Sequence, residues 1–250
     1  MKNSFAYLLI AIFLFGCETE SKLTFKNIEL KNKTCNTCPE ITIVIPKALD
    51  ETRIAETINT AINEEIIYTL KFEDSIDTNT IDEAMRSFTE SFQDFQREFN
   101  DEVIGWEAQV EGKVYYESPT ILSILLNIYT YTGGAHGNGT STFLNFDKQR
   151  NIEVENYELF SDLEGFIAFV ETKFRAEKEI PKKGPINATG FMFSDNVFHL
   201  PENLGFTKEG IQLIYNPYEV ASYADGLIEL VIPYNEVNSF LKKNYRLKEE

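Results

Sequence analysis

Residues 129–145, with the sequence YTYTGGAHGNGTSTFLN, decide how this chain folds. Within seven of these residues lie four glycines and one of the chain's two histidines: Gly133, Gly134, His136, Gly137 and Gly139. Because glycine reaches positive φ without a Cβ clash, this segment can turn tightly. Strand-like runs flank it, ILSILLNIY at 121–129 and STFLNF at 141–146. The pattern predicts a glycine-rich hairpin loop that carries an imidazole at the end of a sheet.

The composition of the chain is that of a folded, acidic protein. It has 250 residues, 43% of them hydrophobic, which is enough for one large domain or two small ones. The formal net charge is −17, so the surface repels phosphates and excludes DNA or RNA as a partner. The same charge favours cationic partners, although an acidic surface more commonly serves only to keep a protein soluble.

The N-terminus has the features of an export signal. Lys2 precedes an apolar run over 5–15 that is too short to span a bilayer as a helix. The run ends in Leu-Phe-Gly-Cys at 14–17, which resembles the lipobox of bacterial lipoproteins. We therefore expect a signal peptide at 1–16 and a membrane anchor through acylated Cys17, with several acyl chains for stable attachment. An ordinary secretory signal with a chance cysteine is the alternative.

The other two cysteines, Cys35 and Cys38, lie in a segment over 17–38 that we interpret as a tether. Outside the cytoplasm such a pair favours a disulfide, with redox activity as a lesser alternative. A zinc site needs about four ligands, and no second cysteine pair is present.

The order of elements predicts an α+β fold. A strand at 41–46 precedes a helix from Asp50, as N-cap, to about residue 72, and a second helix over 81–99 opens with a Thr80–Glu83 capping box. Phenylalanines recur along one face of that second helix and are typical of a core. A polar turn at 147–151 is followed by another helix and meander. We therefore expect two lobes, 39–150 and 151–250, each an antiparallel β-meander covered by helices on one face.

Two motifs carry a resemblance to known envelope families. YTGGAHGN at 131–138 with LNFD at 144–147 resembles a PdaC-type envelope domain, and FTKEGI at 206–211, YNPYEVASYADG at 215–226 and IPY at 232–234 are similar to the RsiV C-terminal-like domain. The resemblance covers roughly 40–243. It implies a pair of α+β domains on a membrane-tethered envelope protein. One member of these families is an anti-sigma factor in which this region binds lysozyme. Another is a peptidoglycan deacetylase in which a separate domain carries out the catalysis.

No catalytic residue, cofactor or metal site follows from the sequence. There is no G-x-S-x-G nucleophile motif, and His136 and His199 alone are too few to hold zinc. We expect His136 to bond to the backbone and hold its loop, and the tyrosines around Pro217 either to pack or to bind a sugar. The tentative binding residues are Tyr131, His136, Asn138, Tyr218 and Tyr223.

These observations predict a lipid-anchored protein of the bacterial cell envelope, on the outer membrane or the periplasmic face. The expected role is non-enzymatic binding of a cationic, lysozyme-like muramidase or of peptidoglycan. Two alternatives stay open: a cell-wall glycan hydrolase or deacetylase-associated enzyme that uses His136, and a purely structural lipoprotein.

Overall fold

The computed structural model describes residues 22–32, 38–71, 78–99 and 105–247. The predicted signal peptide, the predicted acylation site Cys17 and the predicted disulfide partner Cys35 lie outside these residues. Cys38 is disulfide-bonded. In the described part of the chain, no helix combines the length and apolar character needed to cross a membrane.

The first half of the chain forms a six-stranded sheet in the order β1-β2-β3-β4-β5-β6. Its elements are β1 (Phe25–Lys31), β2 (Glu40–Ala48), α1 (Arg53–Leu70), α2 (Ile81–Phe99), β3 (Glu107–Glu117), β4 (Ile121–Tyr131), β5 (Asn138–Asp147) and β6 (Ile152–Glu153). All neighbouring strands are antiparallel except β2 and β3, which run parallel. The parallel pair differs from the expected meander, because α1 and α2 lie between these strands and return the chain to the same end of the sheet.

Both long helices bury one face against this sheet. Helix α1 is capped by Thr52, whose hydroxyl accepts from the Ala55 N–H; the predicted cap Asp50 instead accepts from the Thr24 N–H at 2.7 Å. The predicted capping box of α2 is confirmed: the Thr80 N–H donates to Glu83 at 3.1 Å, and the Glu83 N–H donates to Thr80 at 3.2 Å.

The phenylalanines of α2 are core residues over most of its length. Phe88 and Phe92 are buried and pack on the ring of Trp106, with centroids 5.4 and 5.7 Å away. Phe99 at the end of the helix is 56% exposed. The stripe therefore supports the fold, as its spacing predicts.

The second half of the chain forms a three-stranded antiparallel sheet in the order β7-β8-β9. Its elements are α3 (Leu163–Glu177), β7 (Asn203–Phe206), β8 (Gly210–Tyr215), β9 (Ile228–Pro233) and the short α4 (Tyr234–Val237). Helix α3 has Asp162 as its N-cap, which accepts from the Gly165 N–H, and it shares a core with this sheet. The predicted α+β class is confirmed.

Strands β4 and β5 are covered on both faces, which explains why residues 121–126 are apolar at every position except Ser123. Ile124 and Leu126 join the core beneath α1 and α2. Leu125 instead packs with Phe143 of β5 and with Ile214 of the second sheet. A two-sided strand needs apolar residues at every position rather than at alternate ones. The second lobe thus closes the face of the first sheet that its helices leave open.

A buried polar network joins the two lobes. The Ser123 hydroxyl donates to Asn145 Oδ1 at 2.5 Å and accepts the Phe206 N–H at 3.1 Å, and Asn145 Nδ2 donates to the Leu204 carbonyl at 2.8 Å. These bonds satisfy β7 backbone groups that would otherwise be buried unpaired. The division of the chain near residue 150 stays a prediction, and the short strand β6 that follows it pairs with β5 of the first sheet.

Candidate functional site

The loop that carries His136 connects β4 to β5, so the predicted hairpin is present. Gly133 and Gly134 have φ of 102° and 89°, in the left-handed region that favours glycine. Gly137 is needed for a different reason, because a Cβ there would lie 2.4 Å from the ring of Tyr129. The glycines let the chain turn and let it approach an aromatic ring closely.

His136 bonds to its own loop and also contacts the second lobe. Its Nδ1 lies 2.9 Å from the Gly137 carbonyl, and its Nε2 lies 3.3 Å from the Tyr218 hydroxyl. A carbonyl only accepts, so Nδ1 carries the proton and Nε2 accepts from Tyr218. The imidazole also stacks on the Tyr223 ring, with centroids 3.7 Å apart and planes 14° apart. We call these three residues the aromatic stack.

The structure brings together three of the five tentative binding residues and leaves two apart. His136, Tyr218 and Tyr223 form the aromatic stack on the surface, where Tyr218 is 60% exposed. Tyr131 instead donates its hydroxyl to the Gly134 carbonyl at 3.0 Å and thereby holds the loop. Asn138 opens β5 opposite Thr130 and borders a separate cleft described below.

The other tyrosines near Pro217 are structural. Tyr215 is buried and donates to the His199 carbonyl at 2.7 Å, and Tyr234 donates to the Thr207 carbonyl. Burial raises the pKa of both phenols far above the usual value. Packing therefore accounts for these two, whereas Tyr218 and Tyr223 remain available to a ligand.

Asn216 fixes the loop that carries Tyr218 and Tyr223. Its side chain accepts the Ser141 N–H at 2.8 Å and donates to the Ser141 carbonyl at 3.1 Å, as a neighbouring strand would. Its own N–H donates to Glu219 at 2.9 Å. The sequence indicates Asn216 only as a polar group near the tyrosines that could bond a sugar; the Asn-Pro dipeptide after a strand indicates a turn there but does not reveal the contact with β5.

An acidic cleft of about 760 Å³ lies on one side of β5. Its described lining includes four glutamates, one lysine and an exposed tyrosine: Glu65, Glu153, Glu155, Glu202, Lys71 and Tyr68. Burial, together with repulsion from Glu155 and the glutamates of α1, raises the pKa of Glu153 above its ordinary value. The cleft is therefore a region of crowded negative charge.

A second cleft, of about 390 Å³, also borders β5, shares Ile128 and Thr140 with the acidic cleft, and is free of charged side chains among the described residues that line it. The strands contribute Asn127, Ile128, Gly139, Thr140 and Ser141, and the loop of the second lobe contributes Pro217, Tyr223, Gly226 and Leu227. We call it the uncharged cleft. Tyr223 links it to the aromatic stack.

Across the described ranges, no group of three or more His, Cys, Asp and Glu side chains is placed to hold a metal ion. The two partners of the His136 ring are a backbone carbonyl and a phenol. This geometry suits a ring that holds a loop and offers an aromatic surface.

Two family models match the chain in succession. Residues 32–139 match the family described as deacetylase PdaC, and residues 155–235 match a protein family of unknown function, DUF3298. The chain therefore has a PdaC-type domain followed by a domain of unknown function, as its motifs predict. Together the two families indicate a cell-envelope protein.

Individual relatives are distant. The chain is 21% identical over 193 residues to the peptidoglycan-N-acetylmuramic acid deacetylase PdaC of Bacillus subtilis strain 168, a match that covers 76% of this chain and 40% of that protein. A crystal structure of a DUF3298 family member from Bacteroides fragilis NCTC 9343 is 21% identical, with a TM-score of 0.70 over 89% of this chain and 94% of the other. One from Pseudomonas aeruginosa PAO1 is 19% identical, with a TM-score of 0.63 over 90% and 97%. These structures show the same fold.

Proposed function

We propose that this chain is a lipid-anchored, non-enzymatic binding module of the bacterial envelope whose partner is a cationic, lysozyme-like muramidase. The observation that supports this proposal best is the acidic cleft, where glutamates of both lobes and of the connecting segment face one opening. The sequence resemblance to a lysozyme-sensing family points to the same partner. The anchor is Cys17, on the lipobox motif.

The electrostatics of the cleft favour a basic protein over a polyanion. Glu153 and Glu65 crowd the α1 side of the opening, and the raised pKa of Glu153 reflects burial and unrelieved repulsion. A lysine or arginine from a partner would relieve that repulsion and donate charge-assisted hydrogen bonds to the glutamates. The net charge of −17 would in addition steer a basic enzyme towards the surface.

Exposed tyrosines beside the cleft provide apolar contact area. Tyr68, on α1, lines the cleft and is 83% exposed. Tyr157, outside the lining but two residues after the lining residue Glu155, is 64% exposed. Tyrosine is enriched among residues that dominate binding energy, because it buries a large ring and keeps a polar tip. Glutamates flanked by such rings form a surface suited to a basic partner.

The test is a titration of the full-length chain with hen lysozyme, followed by surface plasmon resonance at low and at high salt. We expect binding at low salt that weakens as salt screens the charges. Replacing both Glu65 and Glu153 by glutamine should weaken binding about tenfold, which corresponds to about 1.4 kcal/mol. The matched control replaces Glu90 and Glu98, exposed on α2, and removes the same charge elsewhere.

Two results would contradict the proposal. One is an absence of binding at low salt by a folded protein. The other is an equal loss in the cleft variant and the α2 control, which would reduce the effect to net charge alone.

The non-enzymatic part is tested on purified peptidoglycan. Incubation with the wild-type chain should release neither sugar nor acetate, and His136→Ala should give the same chromatogram. Products that depend on His136 would instead establish the hydrolase or deacetylase-associated alternative.

A further inference from the structure

We propose that the uncharged cleft binds a neutral sugar of the N-acetylhexosamine class, with Tyr223 as the ring on which the sugar stacks. This site adjoins the acidic cleft, with which it shares Ile128 and Thr140, and its occupation does not depend on a muramidase partner. The observations that support it are the chemistry of its lining and the way its aromatic wall is held.

The lining selects against charged ligands. Its described residues carry amide, hydroxyl and apolar groups and no carboxylate, ammonium or guanidinium. A charged ligand would lose its hydration there without gaining an ion pair, which is unfavourable. At about 390 Å³ the cleft is near the small end of the range for small-molecule sites, about 300–1,000 Å³. A neutral ligand of sugar size fits both constraints.

The aromatic wall is fixed before a ligand arrives. His136 stacks on one face of Tyr223 at 3.7 Å, and Ser222 and Asp225 form a capping box around the short turn that begins at Tyr223. A ring held in this way loses little conformational entropy on binding. The apolar face of a pyranose packs against such a ring, while the phenol tip stays free to hydrogen-bond.

Polar groups across from Tyr223 match the outer atoms of a sugar. The Ser141 hydroxyl donates to Asn127 Oδ1 at 2.9 Å, which fixes the amide and turns its Nδ2 donor to the opposite side. Asn127 then offers an amide donor to the acetamide oxygen of the sugar. Pro217 and Leu227, which is 39% exposed, provide apolar contacts for the acetyl methyl group.

The experiment is isothermal titration calorimetry of the full-length chain with tri-N-acetylchitotriose in about 0.5 M salt, where long-range charge effects are screened. We expect saturable binding by the neutral trimer and markedly weaker binding by its de-N-acetylated, cationic form. Tyr223→Ala should weaken binding about fivefold or more, from the loss of roughly 1 kcal/mol of aromatic contact. Asn127→Asp keeps the bond from Ser141 but replaces the amide donor with a charge, and it should weaken binding similarly.

Phe99→Ala is the matched control, because it removes an exposed ring at the end of α2 that is not part of the cleft lining. It should leave affinity for the trimer within about twofold, a change of roughly 0.4 kcal/mol. Circular dichroism melts of each variant identify any that fail to fold, and Asn127→Asp then carries the test if Tyr223→Ala does not fold. The inference is overturned if the wild-type chain shows no saturable heat, if the cationic trimer binds as well as the neutral one, or if Phe99→Ala weakens binding as much as the cleft variants.

Discussion

Removing the Asn216 side chain should loosen the contact between the lobes at the site. Asn216→Ala deletes two hydrogen bonds to the Ser141 backbone, of 2.8 and 3.1 Å. Each such bond contributes about 0.5–1.5 kcal/mol net. Ser141 is only 4% exposed, so water cannot readily replace the lost partner, and the upper part of that range applies. We expect a loss of about 2–3 kcal/mol in the free energy of unfolding.

The assay is thermal unfolding followed by circular dichroism and calorimetry. For a chain of this size about 1 kcal/mol shifts the melting temperature by about 2–4 °C, so a decrease of about 4–12 °C is expected. Asn63→Ala, at an exposed position of α1, is the matched control and should be neutral or slightly stabilising, since alanine favours a helix more than asparagine does.

Asn216→Asp tests the hydrogen-bond reasoning directly. A carboxylate can still accept the Ser141 N–H but cannot donate to the Ser141 carbonyl, and it lies close to Glu219. Its folded pKa should therefore be raised, so the variant is destabilised at pH 7 and approaches the wild type as pH falls below about 4, where the acid is protonated. A melting temperature for Asn216→Ala within about 1 °C of the wild type, or a pH-independent defect in Asn216→Asp, would refute this account.

Three further predictions concern stability. Gly137→Ala should cost about 1–3 kcal/mol, because its Cβ would meet the Tyr129 ring at 2.4 Å; Tyr129→Leu should recover part of the loss in a double-mutant cycle by urea unfolding. Burial would raise the pKa of Asp147, but hydrogen bonds from Arg150 and Tyr245 hold it below the usual value. Its contribution is thus present above the unfolded pKa of about 3.9 and lost as pH falls, so Asp147→Asn should be less stable at pH 7 and converge with the wild type in acid. The pKa of Glu153 is raised, so its ionised form destabilises the fold, which is the opposite of the effect of Asp147. Glu153→Gln should therefore be more stable than the wild type at pH 7, and the advantage should vanish below about pH 4.

Local signals in the sequence determine much of the first lobe. The glycines at 133 and 134 take positive φ as the hairpin requires, and the Thr80–Glu83 box caps α2 as its spacing predicts. The start of α1 is less certain from sequence, because Asp50 and Thr52 are both good N-cap residues. Which of them caps the helix depends on Thr24, a residue far away in the chain, because the Thr24 N–H donates to the Asp50 carboxylate.

Long-range pairing could not be predicted. Strand β2 pairs in parallel with β3, so that Ile41 lies opposite Ala108, and nothing in either segment specifies that register. The same holds for the site. Glycine, proline and tyrosine patterns single out His136, Tyr218 and Tyr223 individually, but their contact depends on how the second sheet packs against β5. The bonds from Asn216 to Ser141 could not be predicted for the same reason, because they form only when the second sheet packs against β5.

Strand β5 explains why two chemically different clefts lie so close together. Side chains alternate between the faces of a strand, so Ser141 faces the uncharged cleft, while Asn138 and Thr142 face the acidic one. The Thr142 hydroxyl lies 3.3 Å from Glu65, and the Ser141 hydroxyl bonds to Asn127. Asn216 binds the backbone N–H and carbonyl of Ser141, in the part of β5 that borders both clefts, so it supports both clefts at once. A change on one face of β5 should therefore affect one ligand, whereas loss of Asn216 should weaken the binding of both.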